Sequence, residues 1–314
     1  MDIKHIEIEY NKKAPFHAEI CSIERMAPHY HNTSLEILFC LEGSVSFVAA
    51  TQKETISEGQ VFSIDREVIH YLYSDVPNKV LIFHLDLTGM SRPWEELCYI
   101  MFTCESEHCF SYQLDPLKKV KDLILALSLE CFNGCVHPEE SSIAADTLVD
   151  LLLRYFNYYN YYNPDDYIDK ALWQRAYNIL RYCFENYNRK ITASDVAEFA
   201  HISRSYLSQY LRNTPFLSFS NILKYARCFR AEHLLLSTNM SNSEIAFACG
   251  FSDSKYLYSA FNQLWGCSPY THRKNYRTYM NQQESYSALG TEDAADQVRR
   301  YIIDWHIDKF ILDM

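Results

Sequence analysis

The chain has 314 residues, 48% of them hydrophobic and 15% aromatic, enough apolar material for two ordinary domains, and this excludes wholesale disorder. Seven Gly and nine Pro exclude a collagen-like or Gly/Pro-rich low-complexity chain. No run of about 18 uncharged apolar residues suits a membrane span, and the opening Met1-Asp2-Ile3-Lys4-His5 lacks the apolar stretch of a signal peptide, so no membrane association and a cytoplasmic location are expected.

The formal net charge of −11 hides an asymmetry. Between Lys170 and Tyr279 there are 14 Lys and Arg against 6 Asp and Glu, whereas the rest of the chain has 15 against 34. A basic segment in an otherwise acidic chain marks a nucleic-acid-binding module attached to something else. The eleven Cys form no C-x-x-C pair, so neither a disulfide framework nor a zinc cluster is expected. They read as reduced, buried thiols, with Cys131/Cys135 and Cys104/Cys109 as the closest spacings for redox sensing.

From His17 to about Leu87 short apolar runs alternate with turn residues: Leu35 to Phe39, Ser44 to Val48, Gly59 to Ile64 and Lys79 to Leu85. Their length and spacing predict antiparallel strands of a barrel or jelly roll. From Pro116 the period becomes helical, through Leu117, Val120, Leu123, Ile124 and Leu127, then Ile143, Leu148, Leu151, Leu152 and Tyr155. The helical faces at Pro116 to Leu129 and Ile143 to Phe156 suit either a dimerisation surface or a cover for their own barrel. Asn157 to Asn163 with Pro164-Asp165-Asp166 has the composition of a linker. Beyond Ile168 the pattern is helical to about Tyr276. Tyr279 to Ala295 reads as a polar loop, and Val298 to Phe310 as a terminal helix of no evident role.

Two stretches of the basic segment resemble each other. In Asp195 to Arg212 and Glu244 to Asn262, Val196 matches Ile245, Ala197 matches Ala246, Ile202 matches Phe251 and Ser203 matches Ser252. After one extra residue Leu207 matches Leu257 and Leu211 matches Phe261. Each copy reads as a short helix, a tight turn and a second helix. Ala197 and Ala246 allow close helix approach, Gly250 suits a positive-φ helix stop, and Ser203 and Ser252 occupy expected N-cap positions. This is helix-turn-helix grammar, in which the second helix enters the DNA major groove.

The ordered set Ser243-Glu244-Ile245-Ala246, Cys249-Gly250-Phe251-Ser252-Asp253, Tyr256, Phe261 and Gly266-Cys267-Ser268-Pro269, preceded by Ser218-Phe219 through Arg230-Ala231-Glu232-His233-Leu234-Leu235-Leu236, resembles the AraC/XylS family of transcription regulators. The match runs from about Ile191 to Arg273. It departs from the family pattern at His201, where Gly is common, at Pro215-Phe216 for Thr-Gly, and at His272 for an aromatic. The resemblance implies an α+β chain, with an N-terminal cupin-like β-barrel and dimerisation helices (1–156), a linker (157–168), an all-α DNA-binding domain of two helix-turn-helix units on a linker helix (169–278), and an extension (279–314). It also implies a bacterial, non-enzymatic regulator that binds double-stranded promoter DNA as a homodimer, contacts RNA polymerase, and responds to a small molecule such as a sugar or related metabolite.

Two recognition helices on one linker would read successive major-groove turns, about 17 to 20 base pairs per protomer. The base readers expected from their places at the start of each second helix are Arg204, Ser205, Ser208 and Gln209, then Asp253, Ser254, Lys255 and Ser259. Arg212, Lys224, Arg227, Arg230 and Arg273 suit phosphate contacts or surface charge.

In the front segment His29-Tyr30-His31, Glu36 and Gly43 resemble the first cupin motif, H-x-H-x4-E-x6-G, while Gly59 and His70 take places of the second. Because strand residues i and i+2 point the same way, such a set can converge on a divalent metal. The same residues are compatible with an effector pocket or with plain structural use. The resemblance to regulator sensor domains favours a pocket without metal or cofactor, with His29, His31, Glu36, His70, Tyr71 and Tyr73 as effector-binding residues.

Overall fold

A computed structural model describes residues 3–11, 14–50, 52–90, 101–158, 170–214 and 216–304. The expected linker is outside these residues from 159 to 169, as are Pro215 and the last part of the expected terminal helix. The chain divides into two compact units. Among the described residues, one comprises Lys4–Asn157 with the C-terminal segment from Gln283, and the other lies between Tyr158 and Gln282 and includes Ile3.

The first unit is a β-barrel with helices. Its strands are β1 (Lys4–His5), β2 (Phe16–Tyr30), β3 (Ser34–Glu42), β4 (Ser44–Ala49), β5 (Gln52–Ser57), β6 (Val61–Ile64), β7 (His70–Tyr73), β8 (Lys79–Asp86) and β9 (Ser285–Ala288). They form one sheet in the order β5-β4-β7-β2-β8-β3-β6, with β1 and β9 also on β2, rolled into a nearly closed barrel. The inward residues include Cys21, Ile23, Leu38, Cys40, Phe47, Phe62, Leu72, Val80 and Ile82, which pack into one apolar core. The four predicted strand runs are all present as β3, β4, β6 and β8.

The opposite face of β2, β3 and β8 is covered as well. Helices α1 (Leu114–Phe132) and α2 (Pro138–Tyr155) pack on each other, and α1 also lies against β2. Burial on both faces explains why β3 is buried at every residue from Ser34 to Leu41 instead of alternating. The α1 face expected at a dimer contact is therefore covered by the protein's own barrel and helices: Ile124 to Leu129 are buried without interruption.

Residues 283–304 complete this unit. In place of the expected loop from Tyr279 to Ala295, β9 pairs with β2 at Cys21, Ser22 and Ile23, and α10 (Thr291–Asp304) packs on α1. Val298 and Ile302 of α10 are buried, and the Tyr301 ring meets Phe39 edge-on at 5.5 Å. Polar contacts fix the segment: Lys4 to Glu284 at 2.8 Å, Ser285 to Glu24 at 2.8 Å, and Lys79 bridging Glu42 and Gln297.

The second unit is helical, with α3 (Lys170–Glu185), α4 (Ala193–Phe199), α5 (Arg204–Arg212), α6 (Phe219–Ser237), α7 (Asn242–Ala248), α8 (Ser254–Trp265) and α9 (Pro269–Met280). The long helix α6 is central and touches α3, α7, α8 and α9. Among the described residues no helix is long and apolar enough to cross a membrane.

Candidate nucleic-acid interface and sensor site

The two repeats fold as helix pairs, α4–α5 and α7–α8. Each opens on a reciprocal cap, Thr192 with Asp195 and Ser241 with Glu244, which satisfies amides that the first turn leaves free. Each turn needs one residue with positive φ: Gly250 at 78° and His201 at 54°. The sequence departure at His201 is thus accommodated by placing a His in the left-handed region. At Gly250 a Cβ would lie 2.5 Å from the Tyr187 carbonyl oxygen, so the second turn sits directly on the loop that precedes α4.

Caps place the second helices. Ser203 accepts from the Tyr206 amide as expected. In the second unit the cap is Asp253, not Ser252; its carboxylate accepts from the Lys255 amide at 2.8 Å. The extra residue of the second repeat moves the helix start by one. Asp253, expected as a base reader, is therefore occupied in capping.

Beyond the caps, Leu207 and Leu211 bury one face of α5, and Leu257, Ala260 and Phe261 one face of α8. The opposite faces expose Arg204, Ser205, Ser208, Gln209 and Arg212 on the first helix, and Lys255 and Ser259 on the second, with Ser254 half-buried. Ser208 donates its hydroxyl back to the Arg204 carbonyl. The same faces carry Tyr206, Tyr256, Tyr258 and Gln263, which sequence reasoning passed over although helical spacing puts them beside the chosen residues. Tyr206 accepts a hydrogen bond from Arg175 at 2.8 Å, and Lys224 donates to Gln263 at 2.9 Å. Lys224, Tyr256, Ser259 and Gln263 help line a groove of about 420 Å³ between α6 and α8.

Two expected phosphate contacts are otherwise engaged. Arg227 donates to the carbonyls of Tyr187 and Arg189, holding the loop on which Gly250 rests. Arg273 donates to the carbonyls of Leu235 and Met240, closing the C-terminal end of α6. A long guanidinium reaches whichever carbonyls the tertiary fold presents, and the fold presents these before solvent.

In the barrel, register assembles a second site. β2 and β7 pair His29 with His70, and β3 and β8 pair Glu36 with His84. Alternation aims all of these inward with Leu72 and Leu38. Tyr71 and Tyr73 follow the other parity, so the structure does not bring them to the cluster as the sequence reading expected. His84, which that reading omitted, joins instead; its position opposite Glu36 could only be found with the strand register.

His29, His31, Glu36 and His70 are each no more than 5% exposed, and their nearest ligand atoms lie within 4.8 Å of one another. His31 Nε2 and His70 Nε2 are 3.0 and 3.3 Å from Glu36 Oε2, and His84 Nδ1 is 3.9 Å away. On their far sides the Nδ1–H groups of His29, His31 and His70 donate to the carbonyls of Ala27, Ile6 and Val68. Those bonds fix the tautomer and turn each Nε2 inward, the orientation that metal-binding imidazoles take. Burial, helped by His70, pushes the His29 imidazole well below its ordinary range, and burial takes His84 to about 3. Glu36 is held well below the usual carboxylate range: burial opposes this, but His70, His31 and His84 outweigh it. Against the effect of burial, the Glu36 carboxylate raises His31.

The inward atoms are incompletely satisfied. His31 Nε2, His70 Nε2, Glu36 Oε1 and His84 Nδ1 are buried without a well-aligned hydrogen bond, despite the short distances. Inward lone pairs facing a carboxylate repel unless a cation, a proton or a metal ion, lies among them. Three imidazole nitrogens and a carboxylate are a donor set that fits a divalent first-row metal.

Two family models match the chain: a helix-turn-helix domain over residues 196–275 and a cupin over residues 25–89. The chain thus carries a helix-turn-helix domain and a cupin domain. Similar proteins include the uncharacterized HTH-type transcriptional regulator YijO of Escherichia coli strain K12, 31% identical over 35% of this chain and 39% of its own. The melibiose operon regulatory protein of the same strain is 30% identical over 31% of this chain and 32% of its own. The raffinose operon transcriptional regulatory protein RafR of Pediococcus pentosaceus is 24% identical over 77% of this chain and 85% of its own. The chain therefore spans less than half of the first two relatives and most of the third.

Proposed function

We propose that the protein is a sequence-specific DNA-binding transcriptional regulator whose barrel unit senses a small molecule. The observation that carries this reading is the pair of capped, outward-facing second helices, α5 and α8, in one compact unit. Their exposed Arg, Lys, Gln and Ser are residues that read base edges, while Arg212 and Lys224 supply charge for the backbone. The relatives named for the melibiose and raffinose operons support a sugar as the effector class. In this reading no catalytic step falls to the barrel residues. The protein acts as a homodimer at promoter DNA and contacts RNA polymerase there, with the exposed Ile143 side of α2 as the uncovered helical face.

The test is the double variant Arg204→Ala with Lys255→Ala, measured by fluorescence anisotropy on a duplex that the wild-type protein selects from random sequence. Loss of about 10- to 100-fold in affinity is expected, with an unchanged melting temperature. Equal affinity in the variant would remove these side chains from the interface.

A second reading is favoured by the orphaned inward nitrogens: the sensor site holds a divalent metal ion, alone or with the effector. His29, His31, Glu36 and His70 would hold it, and it would supply the positive charge that the cluster requires. Dialysis against Zn²⁺ or Mn²⁺ followed by metal analysis should give about one ion per chain and a raised melting temperature. Both effects should vanish in His29→Ala; an equal metal content in that variant would exclude the quartet as the site.

A further inference from the structure

We infer that Glu232 is a positioning residue for the second reading helix. Its buried carboxylate joins α8 and α9 to α6, and that joint sets where Ser254 to Ser259 meet DNA. The inference rests on the DNA-binding reading above and adds a joint that neither the repeat nor the comparisons specify.

Glu232 lies on α6 and is 1% exposed. Its Oε1 accepts two hydrogen bonds, from Trp265 Nε1 at 3.0 Å and from His272 Nε2 at 2.8 Å. Trp265 is the last residue of α8, closed by Gly266 at φ 66°, and His272 is in the first turn of α9. The Trp265 ring stacks on Phe261 at 4.8 Å, and His272 meets Phe261 edge-on at 5.3 Å. One oxygen atom therefore ties three helices together within an aromatic cluster.

The arrangement is not the most stable way to fill that space. Glu232 Oε2 is buried without a hydrogen-bond partner, and apolar residues of similar volume are often as stable as a buried ionic group or more so. What directional hydrogen bonds add to apolar packing is a single registry. Among the described residues no Asp or Glu is buried around α5, so the α4–α5 pair lacks an equivalent joint.

Registry matters because α8 is a lever. From Trp265 to Lys255 the helix rises about 15 Å, so a tilt of roughly 10° at the joint moves the reading end by about 2.5 Å. Hydrogen bonds tolerate about 0.5 Å. A loosened joint would leave phosphate contacts adequate while base contacts fail.

The experiment compares full-length wild type, Glu232→Gln and Glu232→Met on a duplex selected by the wild type and on one scrambled in the half-site that α8 reads. Glu232→Gln retains an oxygen for both donors and is expected to keep the wild-type preference. Glu232→Met removes it and is expected to lose at least about 10-fold in preference between the duplexes, with affinity for the scrambled duplex unchanged. A folded Glu232→Met protein with full preference would overturn the inference, as would equal losses on both duplexes. Should Glu232→Met fail to fold, His272→Phe decides: a loss of about 3-fold in preference supports the joint, and none overturns it. A wild-type protein that selects no sequence would remove the DNA-binding reading and the joint together.

Discussion

His201 and Gly250 occupy equivalent turns at φ 54° and 78°, but only Gly250 has a backbone atom where its Cβ would be. A left-handed conformation costs an L-residue about 1 to 2 kcal/mol, and a clash adds to that. Gly250→Ala should therefore destabilise the helical unit by about 2 kcal/mol or more, whereas His201→Gly should stabilise it by about 0.5 to 1 kcal/mol. Urea unfolding followed by circular dichroism would report both, and a neutral Gly250→Ala would mean that the Tyr187 loop yields freely. At this scale the Ser203 cap and the Gly250 turn were legible because their chemistry is local, whereas the second cap fell on Asp253 and not on Ser252. Arg227 and Arg273 were not legible, because the carbonyls that hold them come from distant segments.

The C-terminal segment shows how an element escapes a reading by periodicity. Strand β9 is exposed along its whole length and so carries no alternation. Helix α10 begins with Glu292 and Asp293, buries small Ala294 and Ala295, and reaches larger apolar residues only at Val298. Its first half resembles a polar loop until α1 is placed against it. The helices α1 and α2, by contrast, have regular apolar spacing and were found; α1 packs on β2, on α2 and on α10. If α10 is integral to the barrel unit, Val298→Asp places an unpaired carboxylate in that contact and should cost about 3 kcal/mol. Differential scanning calorimetry of the full chain should show the transition of the barrel unit falling by several degrees while that of the helical unit stays. Two unmoved transitions would show that the contact contributes little.

For the whole molecule, the chain leaves the barrel unit before Tyr158, builds the helical unit, and returns to the barrel unit at Gln283. Both ends of the helical unit are thus covalently continuous with the barrel unit. Residues 281–284 join α9 to the strand that pairs with β2, and β2 also carries His29, with His31 just past its end. The sequence disclosed the two kinds of domain, because charge asymmetry and an internal repeat survive without coordinates. It did not disclose this return, which depends on a pairing between strands more than 260 residues apart.

In the proposed function α5 and α8 read DNA as a tandem pair. This is tested most directly by selecting binding sites from random duplex DNA with the full-length protein. A bipartite site is expected, its two preferred blocks centred about one helical turn, 10 to 10.5 base pairs, apart. Selection that returns no preferred sequence, or one short block that Arg204→Ala and Lys255→Ala leave unaltered, would contradict it.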